Sequence, residues 1–175
     1  TVWPLMAIER MFLSVALPPE IVDIVSDLPT RALRGVRFTR RKQWHITMRF
    51  LGDCQRHEAL AALEALQAPA GQVTLGPEVT ILGTRVVIVP AAGLDATAVA
   101  VDDAFAGIGE ETDREFVGHL TLARLKGRPL RDPSMVSVLG APISATWQAE
   151  TIDLWKSEVT EDGAEHTLVA TQHLA

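Results

Sequence analysis

Two short stretches of this chain set a histidine and a threonine two residues apart, each followed by an apolar residue: His45-Ile46-Thr47-Met48 and His119-Leu120-Thr121-Leu122. Histidine titrates near neutrality, so one imidazole can accept a proton while a second gives one up. A neutral ring then serves as a base toward water, and a protonated ring as an acid toward a departing oxygen. Threonine hydroxyls can donate hydrogen bonds to oxygens that gain charge. On an extended strand side chains alternate, so each motif shows His and Thr on one face and its apolar pair on the other. Two such strands facing each other would form a pocket of two imidazoles and two hydroxyls. In-line attack on a cyclic phosphodiester needs that set, with base and acid on opposite sides of phosphorus and no metal. One His-x-Thr alone is weak evidence, because a strand histidine is more often half-buried with its hydrogen bond met. The repetition carries the reading.

The remaining candidates are sparser. Neither H-x-x-x-H nor C-x-x-C occurs, so no metal site and no cofactor are expected. Cys54 is the single cysteine; it lacks the companions of a nucleophile and is expected to be structural, in a reducing cytoplasm. His57, His166 and His173 have no partner at useful spacing and are expected at the surface. Strict alternation puts Arg49 on the His45 face as a substrate contact or a solvent-facing strand arginine. It puts Arg124 on the Leu120 and Leu122 face, away from His119 unless the strand bulges. Phe12 and Trp155 are candidates for stacking a base, with core packing the commoner fate of both. Trp44 alternates away from His45 and reads as core.

The elements that must position these residues follow from periodicity. Met11–Leu17 is a short apolar run, and Pro18-Pro19-Glu20 opens a helix whose Ile21, Val22, Ile24, Val25 and Leu28 recur at helical spacing. Trp44–Leu51 alternates as a strand ended by a Gly52-Asp53 turn. Helices are expected over 56–67 and 94–108, with a short one within 129–139. Strands are expected over 36–38, 72–75, 79–82, 85–89, 116–125, 143–147, 151–158 and 165–171. That irregular mixture argues for an α+β fold with mostly antiparallel sheets rather than a doubly wound parallel one. Residues 1–10 read as an N-terminal extension and 11–175 as a single domain of two lobes.

Composition bounds the function. With 175 residues, 47% hydrophobic and 22% charged, the chain is an ordinary globular domain without a bilayer-spanning apolar run, and a monomer is expected. A net charge of −6 disfavours tracking along many phosphates. Yet Arg31, Arg34, Arg37, Arg40, Arg41 and Lys42 cluster without an intervening acid, a patch suited to one or two phosphates.

The chain resembles the 2H phosphoesterase superfamily and, within it, the bacterial RNA 2',3'-cyclic phosphodiesterase (2'-5' RNA ligase-like) branch. The resemblance rests on residues 11–18 (MFLSVALP), 44–52 (WHITMRFLG) and 119–124 (HLTLAR), with Leu154-Trp155-Lys156-Ser157 resembling a late strand where tyrosine is commoner than Trp155. It implies a two-lobed α+β fold with pseudo-twofold symmetry, antiparallel sheets lining a central cleft and helices outside. It implies that His45 protonates the leaving 3' oxygen and His119 activates water, leaving a 2'-phosphate on RNA ends or short oligonucleotides that carry the cyclic phosphate. A reversible 2'-5' joining activity is a secondary implication. Arg124 falls on a family arginine that holds phosphate. Gly118 departs from the family's usual proline and is expected to loosen the strand before His119. Two alternatives stay open: a nucleotide or RNA-end binding module without turnover, and the same chemistry on a small cyclic nucleotide.

Overall fold

The computed structural model describes residues 7–127 and 136–175. Among the described residues ten strands and three helices run β1 (Ile8–Ala16), α1 (Pro19–Ser26), β2 (Val36–Phe38), β3 (His45–Gln55), α2 (Arg56–Ala65), β4 (Gly71–Leu75), β5 (Thr80–Leu82), β6 (Val86–Ala92), α3 (Asp95–Ala104), β7 (His119–Leu125), β8 (Ala145–Ala149), β9 (Thr151–Thr160) and β10 (Gly163–His173). A 3₁₀ turn at Arg41–Gln43 leads into β3. The expected α+β class holds, since every strand ladder is antiparallel.

The strands follow the order β10-β9-β1-β3-β7-β6-β4-β8, with β2 added on β7 and β5 on β6. Nine residues of β1 are registered with β3, whereas β3 and β7 share the single pair Ile46↔Leu120. The sheet therefore consists of two parts hinged on one residue pair, four strands on the β3 side and six, counting β2 and β5, on the β7 side. Both members of that pair are fully buried. The helices lie across the hinge: α1, which follows β1, packs against β8, and α3, which follows β6, packs against β3. Of the stripe expected for α1, Ile24 is exposed and the rest packs inward to differing degrees. Pro19 and Glu20 start α1, and Ile21 and Val25, one turn apart, are buried. Ala98 and Val101 of α3, with Phe105 just beyond it, are buried likewise. Burying a side chain such as Leu120 or Ile46 contributes about 1.5–3 kcal/mol, so the hinge is held by packing despite its short ladder.

Several boundaries differ from the sequence reading, among them β7, which begins at His119 rather than at 116, and α3, which ends at Ala104 rather than at 108. β1 begins at Ile8, paired with Gln55, so residues 8–10 of the assigned extension form part of a strand. Gly52-Asp53 is not a turn; β3 runs through it to Gln55, and Gly52 takes a φ of +66° inside an irregular ladder. Of the short helix expected within 129–139, residues 128–135 lie outside the described residues, and Val136–Gly140 form turns.

Candidate active site

β3 and β7 are adjacent in one sheet, so the two motifs meet side by side rather than across a gap. Extending the Ile46↔Leu120 register places His45 opposite Thr121 and Thr47 opposite His119. Each histidine thus faces the other motif's threonine, and the two histidines are diagonal neighbours, whose Cα atoms stand roughly 7–8 Å apart. The exchange of the two motifs is a local twofold centred on the Ile46–Leu120 pair. His45, Thr47, His119, Thr121 and Arg124 all line one cleft of about 360 Å³.

Both rings are anchored in the same way. Nδ1 of His45 lies 2.6 Å from the carbonyl of Gln43, and Nδ1 of His119 lies 2.7 Å from that of Val117. A carbonyl only accepts, so each Nδ1 carries a hydrogen and each Nε2 is left for the cleft. Their surroundings differ. Nε2 of His45 also meets Thr47 Oγ1 at 3.0 Å, and Phe12 stacks on the ring with centroids 5.0 Å apart. Burial lowers the pKa of His45 to about 4, opposed by the Gln43 carbonyl and reinforced by the positive fields of His166, His119 and Arg124.

Bulges explain which later residues reach the cleft. In both motif strands the fourth motif residue is extra to the ladder: Met48 where β3 meets β1, and Leu122 where β7 meets β6. The extra residue reverses the alternation, so Leu122 and Ala123 are both buried and Arg124 emerges on the His119 side. The same reversal corrects the placement of Arg49. Met48 and Arg49 are both buried, and Phe50 takes the outward position. The guanidinium of Arg49, its side chain 3% exposed, donates to the Asp102 carboxylate and carbonyl (both 3.3 Å) and to the Glu110 carbonyl (3.2 Å). Glu110 N–H in turn donates to the Leu51 carbonyl at 2.7 Å. Arg49 therefore pins the connector from α3 to β7, which near its end carries Val117, the acceptor for His119.

Gly118 is not a loosening element. Its carbonyl accepts from Ala91 N–H at 2.9 Å, and a Cβ on it would collide with the Ala91 carbonyl. The close approach of β6 requires a glycine here.

The cleft also holds residues that spacing did not disclose. His166 of β10 packs edge-on against Phe12 (4.8 Å) and His45 (5.8 Å) and lines the cleft, against its expected surface position. Burial lowers its pKa. From the basic patch, Arg37 and Arg40 reach the cleft, joined by Lys126; Arg31 and Arg34 do not. Arg37 stands directly opposite Arg124 in the β2–β7 ladder. Like charges in that position repel, and an anion between them relieves the repulsion. Arg37 and Arg40 each donate to the Asp162 carbonyl, at 3.3 and 2.9 Å, which ties the patch to the β9–β10 hairpin. Phe12 is buried behind His45 and is not exposed for stacking. Cys54 is buried, and burial followed by Glu58, Asp53 and Glu9 raises its thiol to about 11. His57 is half-buried and His173 exposed, both away from the cleft. Among the described residues no three His, Cys, Asp or Glu side chains cluster as metal ligands, and no helix is long and apolar enough to cross a membrane.

A model of the LigT like phosphoesterase family matches residues 13–75, which include the first motif. The solved structure of E. coli LigT complexed with 3'-AMP superposes with a TM-score of 0.73 at 23% identity, covering 96% of this chain and 99% of that one. The fold is that of the LigT-like phosphoesterases. A protein of Thermus thermophilus shares this LigT-like fold with a TM-score of 0.75 at 24% identity, covering 94% and 97%. In sequence, the chain is 23% identical over 168 residues to the RNA 2',3'-cyclic phosphodiesterase of Methanocaldococcus jannaschii, covering 88% of this chain and 94% of that relative.

Proposed function

We propose that this LigT-like chain is a cyclic phosphodiesterase that opens the 2',3'-cyclic phosphate at an RNA end and leaves a 2'-phosphate. The observation that carries the reading is the diagonal placement of two Nδ1-anchored histidines in one cleft, each beside a threonine. In the proposed step, water attacks phosphorus opposite the 3' oxygen and passes its proton to Nε2 of His119. The P–O3' bond breaks, and Nε2 of His45 supplies the proton that the 3' oxygen takes. Thr47, Thr121 and Arg124 stabilise the charge on the non-bridging oxygens, without a metal or other cofactor. The same ring opening, with the 5'-hydroxyl of a second RNA end in place of water, would form a 2'-5' linkage.

His45 is neutral in the empty cleft, so its acid role requires a proton that the substrate brings in or stabilises. One negative charge about 4 Å away at an effective dielectric constant near 20 contributes about 4 kcal/mol, or about three pKa units. That lifts His45 from about 4 to near neutrality only when a phosphate is bound. The threonine pair and four cationic residues (Arg37, Arg40, Arg124 and Lys126) at the same cleft suit an RNA end or short oligonucleotide. The buried, lone Cys54 suits a reducing cytoplasm.

The test is mass analysis of the products from an oligonucleotide ending in a 2',3'-cyclic phosphate, with and without EDTA. A gain of one water, a product that co-elutes with the synthetic 2'-phosphate and not the 3'-phosphate, and no effect of EDTA are expected. Recovery of unreacted oligonucleotide would favour a binding module instead, and loss of turnover in EDTA would overturn the metal-free mechanism.

A further inference from the structure

The two compartments that adjoin the catalytic cleft carry opposite charge. Past His45 lies one of about 670 Å³, which shares His45 and His166 with the cleft and adds Arg41 and Lys42 against Glu165. Past His119 lies another of about 500 Å³, which shares Thr47 and His119 with the cleft and does not reach His45. Its wall is the α3–β7 connector, with Glu110, Glu111, Asp113 and Glu115 all exposed. Of its two arginines, Arg49 is held by Asp102 at 3.3 Å, which leaves Arg114 against four carboxylates. The cleft between them is cationic: Arg37, Arg40, Arg124 and Lys126 line it, and no acid does. The sign of the charge therefore reverses across His119, the proposed base.

In-line displacement assigns one reactant to each side. The ribose whose P–O3' bond breaks, with the strand that precedes it, stays on the side of the acid, His45. Whatever attacks phosphorus comes from the side of the base, His119. Water needs no room beyond the cleft. The 5'-hydroxyl of a second RNA end does, because it brings its own ribose and, one nucleotide on, a phosphate. Its oxygen would form the P–O5' bond and lose its proton to Nε2 of His119, while P–O3' breaks and O3' takes the proton of His45.

We propose that the acidic connector selects the nucleophile, admitting water and uncharged alcohols to the His119 side and turning away RNA 5' ends by repulsion. The inference rests on the proposed reaction and decides its outcome, hydrolysis over 2'-5' joining. Nothing has to bind the carboxylates. They act against a competitor, as like charges do wherever a protein rejects one partner and keeps another. Their reach is a Debye length, roughly 8 Å at physiological ionic strength, which is comparable with the step from the attacking oxygen to the first phosphate of the acceptor.

The test uses a 5'-phosphorylated oligonucleotide ending in a 2',3'-cyclic phosphate and offers it two acceptors in turn. One is 2',3'-dideoxyadenosine, a neutral molecule whose only hydroxyl is the 5' one; the other is an oligoribonucleotide with a free 5'-hydroxyl and a blocked 3' end. Joined and hydrolysed products are measured together. Glu111→Gln/Asp113→Asn/Glu115→Gln removes three charges at exposed positions and leaves the Arg49 contacts in place. The triple variant should raise joining to the oligoribonucleotide, relative to hydrolysis, about 10-fold, and keep joining to dideoxyadenosine and the kcat of hydrolysis within about twofold. High salt should raise the same ratio in wild type and do less in the variant. An unchanged ratio, joining undetectable in both proteins included, or an equal rise for the neutral acceptor would overturn the selection while leaving the phosphodiesterase reading intact. A cyclic end that neither protein opens would remove the phosphodiesterase reading and this inference together.

Discussion

The two histidine strands are near copies in backbone and unlike in surroundings. In β3 and β7 alike, a ring is held through Nδ1 by the carbonyl two residues before it, and a bulge follows at the fourth motif position. Yet His45 is walled by Phe12 and His166 and has its Nε2 engaged by Thr47, whereas no second bond to His119 is present among the described residues. Five residues beyond each histidine the copies diverge again, to Phe50 in β3 and Arg124 in β7. A symmetric frame sets two rings about one point, and in the proposed reaction the asymmetric packing is what would divide acid from base between them.

The comparison breaks first at the rings themselves. His45→Ala and His119→Ala should each lose about 100- to 10,000-fold in kcat/KM on a cyclic-phosphate oligonucleotide, measured without added metal. Full activity in either variant would remove that ring from the mechanism. Next comes the divergence at Arg124. Arg124→Ala should lose about 10- to 100-fold, the worth of a hydrogen bond to a charged group, mostly in KM, while Phe50→Ala should lose far less.

Arg49 sharpens the contrast at about tenfold. Because it holds the connector to His119 and does not line the cleft, Arg49→Met should lower kcat with little change in KM and lower the melting temperature. A substrate contact would instead show as a raised KM with unchanged stability. The smallest effect is thermodynamic. His45 has a folded pKa of about 4 against an unfolded value near 6.5, so between those values the unfolded chain binds more protons. Stability must then fall as pH drops from 6.5 toward 4. His45→Gln should flatten that limb of a denaturation series by about 1–2 kcal/mol, after discounting for a half-buried ring.

Much of this arrangement was legible in the residues. The alternation of residues 44–48 and 119–122 places His and Thr on one face, and the structure keeps them there. The sign of each later position was not legible, because the bulges at Met48 and Leu122 arise from how β1 and β6 pair with the motif strands, which a single strand's periodicity does not encode. That one missing residue of register explains both Arg124, which reaches the cleft, and Arg49, which does not. His166 was hidden for a related reason: the β9–β10 hairpin, tied down by Arg37, Arg40 and Gln43, carries it from the far end of the chain to the side of His45. The strands expected over 151–158 and 165–171 already bracket a hairpin, but nothing in its sequence said where it would dock.

The division of labour between the rings is tested most directly by placing sulfur at the 3' bridging position of the cyclic phosphate. A thiolate leaves without needing a proton, so loss of the acid matters little for that substrate and loss of the base matters as before. The expected result is that sulfur restores most of the activity of His45→Ala and leaves His119→Ala disabled. Restoration of His119→Ala instead would reverse the roles, and restoration of neither would contradict an acid–base pair acting on one phosphorus.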